Sequence, residues 1–300
     1  MTGPRLPLLV VALGGNAISP PRGDLSITSE RAVLAHSVAE LAAVAESGRR
    51  LLIVHGNGPQ VGRLLTTPGI GAPEILDVHV AQTQGELGYL IAEALDRALP
   101  AARTAALVTR VLVDEDDPAF AHPSKPVGAV LPRPPAGVPS VRLPRGGWRR
   151  VVASPRPTAV VELPAIEILL ATHHVIAGGG GGVALAGHGA ARSAHPAVVD
   201  KDWVAALLAV ALDAEVLVFV TDVAHAFDRF GHLSQEAIER MTVATARERL
   251  HAGAFAPGSM GPKVESAVQF VQACGRRAVI TTIGHVDAAL RGLAGTTIEP

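Results

Sequence analysis

Residues 175–185 read VIAGGGGGVAL, a short apolar run that passes directly into five consecutive glycines. Short runs of Val, Ile and Ala are typical of buried strands in a parallel sheet. Five glycines suit either a flexible linker or a backbone that must come very close to a ligand. Because apolar, regular structure resumes around the glycines, we interpret the stretch as a strand that delivers its backbone to a binding site.

Similar apolar runs recur along the chain, each rich in Val, Leu or Ile and each bounded by glycine or turn signals. They predict strands at residues 8–13, 50–54, 105–113, 175–177, 215–220 and 277–282. Between them, apolar residues at helical spacing predict helices around residues 34–45, 80–95 and 264–271. The order of strand, glycine turn, helix and strand predicts an α/β sandwich with a mainly parallel sheet.

One stretch breaks this order. Residues 118–164 hold eleven of the 23 prolines and several glycines, with little periodicity. Proline removes a backbone donor, so no sheet-and-helix scaffold is expected here. We interpret the stretch as an ordered excursion, a lid or small protruding subdomain; the alternative is a disordered insertion.

Composition restricts the class of protein. The chain has 300 residues, 18% of them charged, and a formal net charge of −1. This suits one large or two modest globular domains and argues against a nucleic-acid-binding surface. The single cysteine, Cys274, excludes an intrachain disulfide and fits a reducing compartment, and no apolar stretch is long enough for a membrane span. We therefore expect a cytoplasmic protein without nucleic-acid or membrane partners.

Polar residues follow the predicted strands at the places where open α/β sheets bind ligands. Glycine and asparagine follow the first two strands in GGN (14–16) and HGNGP (55–59), and TD (221–222) follows the fifth. Pro59 and Pro262 stand where helices would begin, and a helix N-terminus lined by glycine favours an anion. A single case would be an ordinary strand-to-helix turn, but several together predict a polyphosphate site. None of them matches the P-loop pattern.

The chain has only three lysines, Lys125, Lys201 and Lys263, against 23 arginines. Phosphoryl transfer needs cations directed at the moving group, and these lysines are candidates for that role. The alternatives are solvated surface lysines or, for Lys201 between Asp200 and Asp202, a local ion pair. Asp202 would orient Lys201.

Asp222, at the end of a predicted strand, would face a nucleotide or magnesium, or cap the next element. The sequence contains no HExxH or CxxC pattern, so we expect no dedicated metal site. Mg²⁺ would then arrive with ATP or ADP.

Nine blocks in order resemble the carbamate kinases of the amino-acid-kinase superfamily, from Leu8 to the end of the chain. They are ALGGNA (12–17), HGNGPQVG (55–62), TQGELGY (83–89), VLVDEDDPAFAHPSKPVG (111–128), GWRRVVASPRP (147–157), AGGGGGV (177–183), AVVDKDWVAALLA (197–209), FVTDV (219–223) and GSMGPKVESAVQF (258–270).

The resemblance implies a three-layer αβα sandwich around an open, mainly parallel eight-stranded sheet, with a small protruding lid subdomain at residues 118–157. Residues 1–300 would form one domain, with carbamate and phosphate in the N-terminal half and nucleotide in the C-terminal half. The implied reaction is reversible phosphoryl transfer between ATP and carbamate, usually run toward ATP in arginine metabolism. The family is typically a cytoplasmic homodimer.

The resemblance also implies roles for individual residues. Lys201 and Lys263 would stabilise the transferring phosphoryl group and the bridging oxygen, Asp202 would organise the lysines, and Lys125 would reach in from the subdomain. The implied carbamate and phosphate site is Gly14, Gly15, Asn16, Gly56, Asn57, Gly58, Gly179 and Gly180. The implied nucleotide side is Thr221, Asp222, Met260 and Gly261.

Two departures from the family pattern stand out. Ala224 and Phe227 occupy positions where an acidic residue and a tyrosine are usual, which bears on the nucleotide pocket. Residues 128–147 are short and proline-rich, which bears on the motion of the lid.

Three other functions compete. Gly179, Gly181 and Ala184 satisfy the dinucleotide-binding fingerprint of oxidoreductases, but no helical pattern follows them. A non-catalytic sensor of nucleotide or carbamoyl phosphate would have less need of three lysines and Asp202. A kinase of the same superfamily acting on another small acid is the third; the HPSKPVG block at 122–128 favours carbamate over it.

Overall fold

The computed structural model describes residues 6–20, 26–67, 73–143 and 146–300. The strands in this part of the chain are β1 Leu8–Leu13, β2 Arg50–His55, β3 Thr104–Ala106, β4 Arg110–Val113, β5 Lys125–Leu131, β6 Ser140–Arg142, β7 Trp148–Val152, β8 Pro157–Val160, β9 His174–Ile176, β10 Val183–Ala186, β11 Ser193–Ala194, β12 Val216–Val220, β13 Ala226–Asp228, β14 Glu236–Ile238, β15 Arg240–Thr242, β16 Ala278–Thr281 and β17 Thr296–Glu299. The helices are α1 Ile27–Glu46, α2 Gly58–Thr66, α3 Leu76–Ala98, α4 Pro118–Ala121, α5 Leu163–Leu169, α6 Lys201–Ala211, α7 Val243–His251, α8 Met260–Cys274 and α9 Val286–Leu290.

The central sheet has eight strands in the order β15-β17-β16-β12-β1-β2-β9-β3. From β16 to β3 each neighbouring pair is parallel, and only the β16–β17 pair is antiparallel. The predicted mainly parallel eight-stranded sheet is therefore confirmed. Because β12, β1 and β2 are parallel neighbours, the segments that follow them leave the sheet at one edge.

Helices cover both faces of this sheet. Along β1 the side chains alternate: Leu9, Val11 and Leu13 pack with α1, α3 and α9, whereas Leu8, Val10 and Ala12 pack with α5, α6, α7 and α8. All six residues of β1 are buried, as expected for a central strand covered on both sides. The result is the three-layer αβα sandwich. No described helix is both long enough and apolar enough to span a membrane.

The predicted strand at 105–113 is wrong as one element. The chain breaks at residues 107–109, so that β3 lies at the edge of the large sheet and β4 belongs to a four-stranded sheet of order β11-β10-β4-β8. Gln84 of α3 holds the chain at the break, where its side-chain amide accepts from Thr109 N (2.8 Å) and donates to Thr109 O (3.1 Å). Thr109 O also accepts from Val183 N at 2.9 Å, so Thr109 is bound to α3 and to β10 of the second sheet.

The proline-rich stretch contains more regular structure than the sequence predicts. Strands β5, β7 and β6 form a three-stranded antiparallel sheet in that order, within residues 125–152. Residues 144 and 145 lie outside the described residues. The sheet rests on α2 through two glycines: a Cβ placed on Gly62 would lie 2.3 Å from Gly128 Cα. The prolines do not prevent the sheet, because an edge position or a strand end needs no donor from the proline.

Candidate active site

A cavity of about 230 Å³ opens at the carboxyl edge of the central sheet, where the chain leaves β1, β2 and β12. It is lined by Gly14, Gly15, Gly56, Asn57, Gly58, Lys125, Pro126, Val127, Gly180, Val198, Val199, Asp200, Lys201, Asp202, Thr221, Asp222, Gly258, Ser259 and Lys263. All three lysines of the chain line this one cavity.

Most of the site residues that the sequence predicts are brought together here. Four of them do not line the cavity. Asn16 is exposed on the short helical turn Gly15–Ala17, and Gly179 is buried behind the cavity wall. Met260 and Gly261, at the start of α8, directly follow Gly258 and Ser259, which do line it.

Asp202 joins two of the lysines in the interior. Its Oδ1 accepts from Lys201 Nζ at 2.6 Å and its Oδ2 accepts from Lys263 Nζ at 3.0 Å. The Asp202 side chain is only 3% exposed, and those of Lys201 and Lys263 are 11% and 10% exposed. One carboxylate thus fixes two ammonium groups from the first turns of two different helices, α6 and α8.

Burial and charge act in opposite directions on these groups. Burial alone would raise the pKa of Asp202, but Lys201 and Lys263 hold it below its ordinary value, so the carboxylate is charged. Burial lowers the pKa of Lys201, and Lys263 lowers it further, although Asp202 opposes both. For Lys263 burial also disfavours the charge, but Asp202 outweighs it and raises the pKa above that of an ordinary lysine. Lys201 is therefore the member of the pair that loses its proton more easily.

Asp200 is a further functional candidate, beyond those predicted from the sequence. Its Oδ1 accepts from Asp202 N at 3.0 Å and so caps α6, and its Oδ2 forms a short ion pair with Lys125 Nζ. The sequence is compatible with a local ion pair between Lys201 and either flanking carboxylate. In the structure, Asp202 forms that pair and Asp200 binds the distant Lys125. The Asp-Lys-Asp spacing was the available signal, because an aspartate directly before a helix is a preferred N-cap.

The five glycines are held by close packing on every side. The backbone φ is positive at Gly178, Gly180, Gly181 and Gly182. A Cβ on Gly179 would lie 2.4 Å from His55 Nε2, and one on Gly180 would lie 2.0 Å from Asn57 Nδ2. The linker interpretation is excluded, and only Gly180 of the five reaches the cavity. The turn is followed by strand β10 and not by a helix, which also removes the structural basis of a dinucleotide-binding fingerprint.

The turn after β2 is organised by buried polar groups. Asn57 Nδ2 donates to Thr83 Oγ1 of α3 at 2.9 Å, so the Asn57 side chain does not cap α2. The first-turn amides of α2 are left without that side-chain cap beside the cavity. His55 is buried against Gly56 O and Lys201, and burial lowers its pKa to about 4, which keeps the ring neutral. A neutral histidine adds no charge to the lysine pair.

Two of the residues for which the resemblance implies a nucleotide-binding role, Thr221 and Asp222, follow the end of β12. Thr221 and Asp222 line the cavity, and Asp222 is exposed, with no ion-pair partner among the described residues. Beyond them, Phe227 of β13 packs against His225 and Phe230, with ring centroids 6.2 and 6.0 Å apart. Phe227 therefore forms part of an aromatic group on the β13–β14 hairpin. Within the described ranges no set of three or more His, Cys, Asp or Glu is placed to hold a metal ion.

Comparison with known proteins agrees with this geometry. The sequence model of the amino acid kinase family matches residues 7–282. A carbamate kinase of Halobacterium salinarum is 38% identical over 97% of this chain and 98% of its own length. A carbamate kinase of Escherichia coli is 40% identical over 97% of this chain and 99% of its own length.

A solved structure of a carbamate kinase also has the same fold as this chain. Carbamate kinase from Giardia lamblia bound to AMP-PNP superposes with a TM-score of 0.88 at 32% identity, over 98% of each chain. The chain therefore belongs to the amino acid kinase family of phosphotransferases, and its resemblance to the carbamate kinases within that family is confirmed.

Proposed function

We propose that the protein catalyses reversible phosphoryl transfer between carbamoyl phosphate and ADP, giving ATP and carbamate. The observation that carries the proposal is the pair of buried ammonium groups, Lys201 and Lys263, that Asp202 holds at one wall of the cavity. Phosphoryl transfer depends on positioning and on charge directed at the moving group, more than on covalent chemistry by the protein. The similarity to enzymes named carbamate kinase supports the choice of substrate.

Lys201 and Lys263 each have at least one hydrogen-bond donor that no described residue uses. Lys201 Nζ uses one hydrogen on Asp202, and Lys263 Nζ uses one on Asp202 and one on Ser259 O at 3.3 Å. An ammonium group has three donors, so both retain at least one for substrate oxygens. We assign these to the equatorial oxygens of the transferring phosphoryl group and to the oxygen that bridges it to the leaving group, where negative charge develops.

Carbamoyl phosphate is assigned to the side of the cavity formed after β1 and β2. A Cβ on Gly15 or on Gly58 would meet nothing within 4 Å, so the backbone at both positions faces open space. The amides of the α2 N-terminus and its dipole favour the phosphate there. Lys125 completes this side by exchanging its ion pair with Asp200 for a substrate oxygen.

Nucleotide is assigned to the opposite side, beside Thr221 and Asp222. The residues fit a magnesium ion that arrives with ADP. Mg²⁺ binds through one or two carboxylates together with phosphates and water, and Asp222 is an exposed carboxylate that lines the cavity and forms no ion pair with a described residue. When bound, the ion would neutralise charge on the nucleotide phosphates. Asp222 would hold it, and the lysines would act on the transferring group.

A luciferase-coupled assay tests the proposal. Purified protein with Mg²⁺ and ADP is expected to form ATP from carbamoyl phosphate, and more slowly or not at all from acetyl phosphate. ATP from acetyl phosphate but not from carbamoyl phosphate would assign the enzyme to another small acid. If calorimetry shows that both substrates bind but the assay shows no turnover, the alternative of a non-catalytic sensor of nucleotide or carbamoyl phosphate is supported.

The resemblance also supports a homodimer that works in the cytoplasm, in arginine metabolism. Light scattering after size exclusion measures the mass against the 30.8 kDa of one chain.

A further inference from the structure

The residues that carry this inference lie where the excursion leaves and rejoins the main chain, a place we call the neck, made of Asp117 and residues 153–156. Asp117 holds both sides of the neck. Its Oδ1 accepts from Ala119 N at 2.8 Å at the start of α4, and its Oδ2 accepts from Arg156 N at 2.8 Å. The segment that enters the excursion and the segment that leaves it thus both donate to the same carboxylate.

The side chain of Arg156 reaches from the neck to two helices. Its guanidinium Cζ lies 3.5 Å from the centroid of the Trp203 ring on α6. Its Nη2 donates to Glu265 Oε1 of α8 at 2.6 Å. The planar, delocalised guanidinium can stack on an aromatic face and bind a carboxylate at the same time, which an ammonium group cannot do equally well.

These two helices are the ones whose first turns carry the buried lysines. Trp203 stands two residues after Lys201, and Glu265 stands two residues after Lys263. The excursion, for its part, carries Lys125, and Lys125 is paired in register with Val152, four residues before Arg156. Arg156 therefore contacts the two helices that carry Lys201 and Lys263. It also lies on the chain that continues from β7, the strand that pairs with Lys125.

We propose that Arg156 is a positioning residue that sets the placement of Lys125 relative to Lys201 and Lys263. It touches no residue of the cavity wall directly and acts through the neck and the first turns of α6 and α8. The inference rests on the proposed phosphoryl transfer, for which it names a further determinant outside the cavity.

If Arg156 only stabilised the fold, its loss would lower the melting temperature and would not lower turnover in particular. The side chains of Arg156 and Glu265 are 57% and 49% exposed, and exposed ion pairs contribute little to stability. Displacement of a reacting group by about 1 Å can cost about a hundredfold in rate. Loss of Arg156 should therefore lower turnover far more than it lowers the melting temperature.

The test compares Arg156→Ala with Arg276→Ala. Arg276 pairs with Asp213 at 2.8 Å and so joins the opposite, carboxyl-terminal ends of the same two helices, far from the neck. We expect Arg156→Ala to lower kcat about tenfold, with little change in the KM for ADP, and Arg276→Ala to keep the wild-type kcat. Arg156→Lys should recover only part of the loss, since it keeps the charge on Glu265 but not the planar stacking.

A double-mutant cycle then asks whether Arg156 acts through Lys125. If it does, Arg156→Ala should cost less in a Lys125→Ala background than in the wild type. Independent, multiplicative effects would overturn the proposal, and so would an Arg156→Ala enzyme that resembles Arg276→Ala.

A second readout does not depend on activity. Because the chain has only three lysines, an amine-reactive ester followed by mass spectrometry reports on each of them separately. We expect Arg156→Ala to raise the labelling rate of Lys125 relative to Lys201 and Lys263, whereas Arg276→Ala should not. If the wild type makes no ATP, the proposed function fails, and unchanged Lys125 labelling then overturns the positioning role as well.

Discussion

Lys201, Asp202 and Lys263 form a largely buried cluster, where burial disfavours each charge taken alone. Asp202 opposes this effect on both lysines, because its one carboxylate contacts both side-chain nitrogens. Replacing one partner of such a cluster leaves the remaining charges less compensated. With both lysines protonated, the cluster carries a net positive charge, which a bound phosphoryl group would neutralise.

The first prediction at the residue scale concerns Lys263. Lys263→Ala should lower kcat by about a hundredfold to a thousandfold, the usual loss for one positioned charge in a dry site. Circular dichroism and thermal melting should show that the fold persists, since Asp202 keeps Lys201 as a partner. Lys263→Arg serves as the control that retains a charge, and should rescue stability better than turnover. Wild-type turnover in Lys263→Ala would remove Lys263 from the chemistry.

The second prediction concerns pH. Burial and the neighbouring Lys263 lower the pKa of Lys201 below the ordinary lysine value of 10.5. The charged form exists only below that lowered pKa, so kcat should fall as the pH rises through it, before an ordinary lysine would titrate. A pH–rate profile from neutral to strongly alkaline pH measures this.

Lys201→Arg is the matched control for the pH profile. A guanidinium stays protonated throughout the range, so whatever activity this variant retains should lose the alkaline fall. A fall at the same pH in Lys201→Arg would mean that another group titrates.

At the scale of the element, the glycine turn between β9 and β10 is built for close contact rather than for flexibility. Gly180 must adopt a φ of +60° and leaves only 2.0 Å between an added Cβ and Asn57 Nδ2. Asn57 cannot retreat without breaking its bond to Thr83. The turn therefore holds the HGN segment after β2 in place, and through it the cavity wall.

A pair of glycine variants separates backbone strain from the contact. Gly180→Ala should destabilise the fold by at least about 2 kcal/mol, from the left-handed φ together with the displaced Asn57. Gly253 has a similar φ of +69° but nothing within 4 Å of an added Cβ, so Gly253→Ala should cost only about 1 kcal/mol. Urea denaturation measures both, and equal losses would show that the contact with Asn57 contributes nothing.

Features that depend on a short stretch of sequence could be predicted from the sequence alone. The bounds of β1 follow from its uniform apolar run, and the three lysines were recognised from their scarcity. The break between β3 and β4 follows from Gln84, which lies 25 residues from Thr109 in the chain, and no local pattern reports such a contact. Gly179 could not be told from Gly180 for the same reason, because the contact of Gly179 with His55 comes from the packing of β9 beside β2.

At the scale of the whole molecule, the cavity lies where two halves of one sheet meet. Strand β1 pairs with β2 on one side and with β12 on the other. Gly15 and Gly58 follow strands β1 and β2 of the N-terminal half, whereas Asp222 and Lys263 come from the C-terminal half. If carbamoyl phosphate binds to the first half and nucleotide to the second, variants on the two sides should affect different substrates.

Gly15→Ala and Asp222→Asn test this division. Gly15 lines the cavity and an added Cβ there meets no protein atom within 4 Å, so the extra methyl group should raise the KM for carbamoyl phosphate about tenfold or more. Asp222→Asn removes the carboxylate assigned to Mg²⁺ and should raise the KM for the magnesium complex of ADP. Initial rates with each substrate varied at saturating levels of the other measure both constants, with melting temperatures as the control for folding. If each variant raised both constants equally, the two substrates would share one subsite, and the assignment of the halves would be wrong.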